Sequence, residues 1–283
     1  MGFVVCAELL MLRLGFPIWY GYGERVEELI REARKTGFDY LEVSLDYPWP
    51  FKGSFRLSKV VKAALSEGLS IAFHAPWRDL RLSSPFEDIR NASLKVFEKV
   101  ISEISSYEID YLVVHLSTDQ AADRIEEIRE EVLDAALSSV DSLKGISENL
   151  GLRLVVENVR EDLEMFRKIA SRASRICLDV GHVIISTVRR LGRERVDDEL
   201  ERWLDALKDR IEIMHYSGVR FEGKWVRDHQ LTDSSDKYLR RIKNKLKEIR
   251  PRGFLLEVFE GRGEDEHVRP SHLADAVSFL KKA

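Results

Sequence analysis

The feature that most constrains this chain is a repeated alternation of short apolar runs with long amphipathic ones. The apolar runs cover residues 12–18, 40–44, 70–74, 111–115, 152–157, 176–179, 211–215 and 254–257. They are rich in Val, Ile and Leu and nearly continuous in apolarity, as a parallel strand covered on both faces requires. Between them, residues 24–36 place Val26, Leu29, Ile30 and Ala33 on one helical face, with Gly37 as a stop. Residues 59–67, 88–106, 124–150, 161–172, 193–208, 235–250 and 271–282 repeat that pattern, and Gly151 and Pro251 punctuate two of the ends. Successive strands start roughly 35 residues apart, close to the need of one βαβ unit. Eight such units close into an α/β barrel of the (β/α)8 kind, which uses about 250 residues as a single domain. The competing architecture is an open doubly wound sheet. Its Gly-rich turn is only half matched by GYGERV at 21–26, which lacks the third glycine and reads as a loop into a helix.

Composition narrows the function classes. Hydrophobic residues make up 44% of the 283 and charged residues 33%, enough apolar material for a large core and too much for a disordered chain. The net charge of −4 gives no single-sign field, which excludes a basic coat for nucleic acid but leaves room for a local groove. The two cysteines, Cys6 and Cys177, exclude a disulfide scaffold and fit a reducing, cytoplasmic setting. No apolar run reaches the roughly 20 residues that span a bilayer, so no membrane partner is expected. Glu8 interrupts the apolar opening, so no signal peptide is read there; residues 1–10 are expected to be an extension ahead of a barrel over 11–283, with Met11 a second candidate start.

The chemistry sits where the strands end. His74, His115, Glu157, Asp179, His215 and Glu257 close six consecutive runs, His182 follows Asp179 by three residues, and Asp228 and His229 lie after the seventh run. In a barrel the C-terminal strand ends share one rim, which holds the active site. A single histidine there more often bonds to a loop, and a single carboxylate more often caps a helix. Together they are different, because several carboxylates ending buried strands cost several kcal/mol unless a cation neutralises them. Imidazole and carboxylate donors suit Zn, Mn, Fe or Co as divalent ions, and the lack of paired thiols argues against structural zinc. Cys177 shares the inward side of Asp179, one layer deeper, and reads as core.

The segments HAPW (74–77), VVH (113–115), VVEN (155–158), CLDVGH (177–182), MHYS (214–217), RDHQ (227–230) and LLEVF (255–259) resemble those of the xylose isomerase-like TIM barrel superfamily. That group holds sugar and sugar-phosphate isomerases and epimerases, and also the abasic-site nuclease endonuclease IV. The resemblance runs from about Met11 onward. It implies a (β/α)8 TIM barrel and, in the isomerase branch, one Mn-type ion on Glu157, Asp179, His215 and Glu257. The two glutamates, Glu157 and Glu257, would then move the proton through an enediolate. In the endonuclease IV branch it implies up to three zinc ions, with His74 and His115 holding one beside a bridging Glu157, and His182 and His229 holding another. That branch carries an aspartate two residues before the last of these histidines. Here Arg227 occupies that position and Asp228 is out of step, so the third site is expected to be incomplete.

A metal-dependent isomerase or epimerase of a small sugar, sugar phosphate or keto-acid is therefore the leading expectation. Trp77, and with it Trp225, would stack on the sugar, and Arg227 would contact it. The alternative is abasic-site cleavage in DNA, for which Arg81, Arg90, Arg220, Lys224 and Arg227 are groove candidates that also read as solvated loop charge. A third reading is a non-catalytic barrel that kept a ligand-binding rim. Barrels of this class commonly form homo-oligomers, but no interface is legible. The charged runs 126–134 and 240–250 read as solvated outer helix faces.

Overall fold

The computed structural model describes residues 12–52, 56–116, 126–173, 175–223, 225–261 and 266–282. The extension expected over 1–10, Met11 and the groove candidate Lys224 lie outside them. Eight parallel strands close into a barrel: β1 (Arg13–Ile18), β2 (Tyr40–Ser44), β3 (Ser70–His74), β4 (Leu112–His115), β5 (Leu154–Glu157), β6 (Ile176–Asp179), β7 (Ile211–Tyr216) and β10 (Gly253–Leu256), which returns to β1. The outer ring comprises α1 (Val26–Thr36), α2 (Leu57–Ser66), α3 (Glu87–Ile104), α4 (Arg129–Asn149), α5 (Leu163–Ala173), α6 (Val180–Leu191), α7 (Val196–Leu207), α8 (Lys237–Ile249) and α9 (Ala274–Lys281). The fold is a single-domain TIM barrel.

Two departures from the sequence reading bear on the site. The first is α6, where the run VGHVIISTVRRL follows β6 without a loop. Its β-branched residues are poor helix formers, so no helix was expected before residue 193. Tertiary packing overrides propensity here: Val183, Ile184 and Thr187 are buried, and the Asp179 carboxylate caps the first turn by accepting the His182 amide at 2.5 Å. The second is an antiparallel hairpin, β8 (Gly218–Glu222) and β9 (Trp225–Gln230), within the segment 216–234 that reads as loop.

The period of two along each strand divides the core in two. Outward residues such as Leu41, Phe73, Val114, Val156, Leu178, Met214 and Phe254 pack against the helices. Inward residues form a separate small core of Tyr40, Ala72, Tyr111, Val113, Val155, Cys177, Ile213 and Leu255. Two residues beyond an inward position, each of six strands delivers a polar side chain to the rim: His74, His115, Glu157, Asp179, His215 and Glu257. Interior packing therefore sets the phase of the site. At the opposite end of the barrel, Arg13 bonds to Asp110 (2.7 Å) and Ser70, while Arg153 and Arg175 both bond to Glu212.

The bulk of Tyr40 inside the barrel requires a bare backbone opposite. A Cβ on Gly15 would lie 2.3 Å from the Tyr40 ring, too close for any rotamer to relieve cheaply. Gly15→Ala is expected to lose about 1–3 kcal/mol in urea unfolding, and Tyr40→Leu in the same chain should restore part of it. An unchanged midpoint for the single variant would contradict this packing.

Candidate metal centre

Nine rim side chains make three main groups, the first two of which share Glu157; Glu157 also comes together with Cys177 and His215, and Glu42 with His74 and Glu257. His74, His115 and Glu157 form one; Glu157, Asp179, His215 and Glu257 form a second; His182, Asp228 and His229 form a third. Within each, one donor atom per residue lies within 4.8 Å of the others. Glu157 belongs to two main groups and lies between all three: its carboxylate is 3.4 Å from His74 Nε2, 3.2 Å from His115 Nε2, 3.5 Å from His215 Nδ1 and 3.3 Å from His182 Nδ1. The second group is almost wholly buried, and the third is partly open to solvent. The sequence-expected ligands thus converge on one hollow.

Asp228 enters that hollow against expectation. In a regular strand Asp228 and His229 would point to opposite faces. In the β8–β9 hairpin, however, Gly218 pairs with Gln230 and Arg220 with Arg227, so Asp228 and His229 together oppose the single residue Val219. This bulge, with His229 at φ 52°, breaks the alternation. Asp228 Oδ2 then lies 3.8 Å from His182 Nε2, and Oδ1 3.8 Å from His229 Nε2. The third group therefore includes a carboxylate, although Asp228 is out of step in the sequence.

The histidines are oriented as ligands. A metal-binding imidazole normally donates its other N–H to a protein acceptor. Nδ1 of His74 donates to the Ala75 carbonyl (2.8 Å), that of His182 to the Asn158 carbonyl (2.9 Å) and that of His229 to the Glu257 carbonyl (3.0 Å), leaving Nε2 of each for the hollow. His215 is reversed: Nε2 faces Glu42 at 3.1 Å and Nδ1 faces Glu257 at 3.3 Å. Asn158 anchors Asp179 by exchanging two hydrogen bonds with its backbone. Neither Glu42 nor Asn158 was singled out from the sequence; the only signal for Glu42 was a carboxylate in the middle of the apolar run YLEVS.

The donor set fits divalent cations on two observations. Both oxygens of Glu157, Asp179 Oδ2, His215 Nδ1 and Glu257 Oε2 are buried and have no hydrogen-bond partner. Nε2 of His74 and of His115 stand 3.1 Å apart, and with Nδ1 of His74 donating to the Ala75 carbonyl, its Nε2 is left as an acceptor facing the hollow, for a proton or a cation. The electrostatics agree. Burial alone would raise Glu157 and Glu257, but the surrounding imidazoles, His115 and His215 for the first and His215 and His229 for the second, hold Glu157 well below the carboxylate range and Glu257 at about 2. Burial also opposes a charge on His74, yet Glu157 pushes it up to about 9. His182 and His215 rise well above the usual value against the same opposition, pushed chiefly by Asp179 and by Cys177 with Glu42 respectively. His115 falls, because burial outweighs its contact with Glu157. Asp179 is pushed up to about 7 by burial together with its carboxylate neighbours Glu257 and Glu157, against the pull of His182. The hollow calls for positive charge that protons on imidazoles satisfy only in part.

The other expected residues stand at the mouth. Trp77 is half exposed, its ring 6.2 Å from that of His115, with the Arg78 guanidinium 4.5 Å over it. Trp225 and Arg227 are exposed on β9, and no described contact ties Arg227 to the ligands. Arg220 pairs with Glu222 (2.9 Å), and Arg90 is tied to the Ser84 carbonyl (2.9 Å). Cys177 lies in the inner core, as expected.

Gly181 holds the third group together. A Cβ there would come 2.9 Å from Ser217 Oγ, which accepts the His229 amide, 3.2 Å from Asp179 Oδ1 and 3.3 Å from the Asp228 Cβ. Gly181→Ala is expected to push the hairpin off α6 and to lower the divalent-ion content found by elemental analysis. Metal content equal to the parent would contradict this.

Comparison with known proteins gives the following. Residues 30–283 match the family model described as xylose isomerase-like TIM barrel. An uncharacterized protein of Methanocaldococcus jannaschii, MJ1614, is 28% identical over 138 residues, covering 44% of this chain and 51% of that protein; the chain thus spans about half the length of this curated relative. Among solved structures, the 3-keto-D-glucoside 4-epimerase YcjR from E. coli superposes with a TM-score of 0.69 at 16% identity, over 96% of this chain and 100% of that one. Endonuclease IV from Thermus thermophilus gives 0.58 at 20% identity, also over 96% and 100%. At these identities the structural likeness shows the fold; the family match extends over most of the chain, which belongs to the xylose isomerase-like TIM barrel family.

Proposed function

We propose that the chain is a metal-dependent phosphodiester hydrolase of the endonuclease IV kind. The observation that carries this reading is the third group: with Asp228 beside His182 and His229, a third cation-sized cluster joins the two that share Glu157. The one-ion reading assigns no metal to His74, His115, His182, Asp228 and His229. Bound there, divalent cations supply the positive charge that offsets charge on the phosphoryl oxygens in the transition state and make an attacking water more acidic.

The chain's own residues divide the work by burial. His74, His115 and Glu157 would hold one cation, Glu157, Asp179, His215 and Glu257 a second, and His182, Asp228 and His229 a third. The second group lies at the buried floor, where low dielectric strengthens its electrostatics. The third is open, on the side where a substrate arrives. Trp77 offers a ring face at the mouth beside His115 for a base or sugar. Abasic-site DNA is the first substrate to test.

One observation favours a second reading, the sugar epimerase. Glu157 and Glu257 both turn unpartnered buried oxygens toward the same point, the arrangement that two-sided proton transfer needs, and YcjR shares the fold. On that reading one ion on the second group suffices, and the substrate is a small keto-sugar.

Purified, chelator-free protein separates the two. The hydrolase reading expects two or three divalent ions per chain, metal-dependent nicking of an abasic-site duplex or hydrolysis of bis(p-nitrophenyl) phosphate, and loss of at least 100-fold activity on Glu157→Gln. One ion per chain, with solvent-proton exchange into ketoses and no phosphodiester cleavage, would establish the epimerase instead. Removing the ions with a chelator should lower the melting temperature on either reading, since a ligand bound only to the folded state stabilises it.

A further inference from the structure

Glu42 is a buried carboxylate that the proposed chemistry does not use. It sits in the middle of β2 with Leu41 and Val43 turned outward into the helix-facing core, so its own side chain faces the barrel interior. It is 3% exposed. In the sheet register it stands opposite Ala72, one inward position below His74. No lysine or arginine is paired with it among the described residues; its partners are the Tyr111 hydroxyl, which donates to Oε2 at 2.7 Å, and His215 Nε2, 3.1 Å from the same oxygen. A carboxylate in such a place is costly unless it holds something in position.

What it holds is the His215 ring. An imidazole can offer a lone pair from only one nitrogen when the other carries the proton. His215 Nδ1 is buried without a hydrogen-bond partner and faces Glu157 at 3.5 Å and Glu257 at 3.3 Å, so this nitrogen must be bare to serve as a ligand. Nδ1 of His74, His182 and His229 donates to a backbone carbonyl instead; the Glu42 carboxylate also comes within 4.8 Å of a ring nitrogen of His74, but its hydrogen bonds run to Tyr111 and His215. His215 alone is gripped from beneath. The grip comes from two strands: Glu42 on β2 accepts the Nε2–H, and Tyr111, just ahead of β4, fixes the carboxylate by its hydroxyl.

We infer that Glu42, held by Tyr111, is the positioning residue that keeps His215 in the Nε2–H tautomer and so presents Nδ1 to the cation of the buried four-residue group. This deepens the proposed function and rests on its metal centre, though on the buried group alone, which both the hydrolase and epimerase readings use. Glutamine at position 42 can turn its amide N–H toward Nε2, which favours the opposite tautomer and closes Nδ1 to metal. Tyr111→Phe leaves the carboxylate in place but unrestrained.

The test uses the full chain stripped by chelator and reloaded with Zn2+ against a competing chelator. The parent, Glu42→Gln and Tyr111→Phe are compared for the affinity of each ion, for the 15N signals of the His215 ring in the Zn2+-loaded state, and for metal-free melting temperature. Loss of an outer partner of a ligand typically weakens metal affinity by about 10–100-fold. We expect a loss of that size for one ion in Glu42→Gln and a smaller one in Tyr111→Phe. The Zn2+-loaded ring signals should report a metal-bound Nδ1 and an Nε2–H in the parent and should lose that pattern in Glu42→Gln, with its metal-free melting temperature equal or raised. Unchanged affinity and an unchanged tautomer in either folded variant would overturn the inference while leaving the metal centre intact. Parent protein that takes up no Zn2+ would instead overturn the centre and this inference with it.

Discussion

Glu157 is the residue on which the rim depends. Its carboxylate is fully enclosed, lies within 3.5 Å of four imidazoles, and has neither oxygen hydrogen-bonded. A negative charge so placed is stable only if the space around it is positive, by protonated imidazoles or by cations. Asp179, Glu257 and Asp228 extend the same demand outward toward solvent. The site is thus defined less by any one side chain than by a surplus of buried negative charge at a place where six strands and a hairpin converge.

The barrel makes that concentration affordable to build. Inward side chains below the rim are small or aromatic and fill the interior without polar groups, apart from Glu42 and the hydroxyls of Tyr40 and Tyr111. The same period of two that puts Val113, Val155, Ile213 and Leu255 inside puts His115, Glu157, His215 and Glu257 two residues on. Ion pairs that hold the barrel closed, such as Arg13 with Asp110 and the arginine pair on Glu212, sit at the other end. Stability and chemistry occupy opposite faces, as the fold allows.

This layering explains what could be read in advance. Strand order, barrel closure and the ligands at strand ends follow from apolar runs that finish in polar residues, a pattern carried by consecutive positions. Glu42 did not show because it lies inside its run, where local pattern cannot tell an inward carboxylate from an edge residue. The helix α6 did not show because Val180–Leu191 is β-branched, and its stability comes from packing and from the Asp179 cap. Asp228 was misread because a bulge, which depends on how β8 pairs with β9, changes which residues share a face. In each case the missing information is tertiary.

The hairpin lies outside the barrel's hydrogen-bonded ring, so its pairing can slip by one residue without disturbing a single barrel strand. A slip in one direction withdraws a carboxylate from the mouth, and one in the other delivers it. A one-residue insertion or deletion in this hairpin would therefore change the polar lining of the mouth while leaving the barrel's strand order as it is.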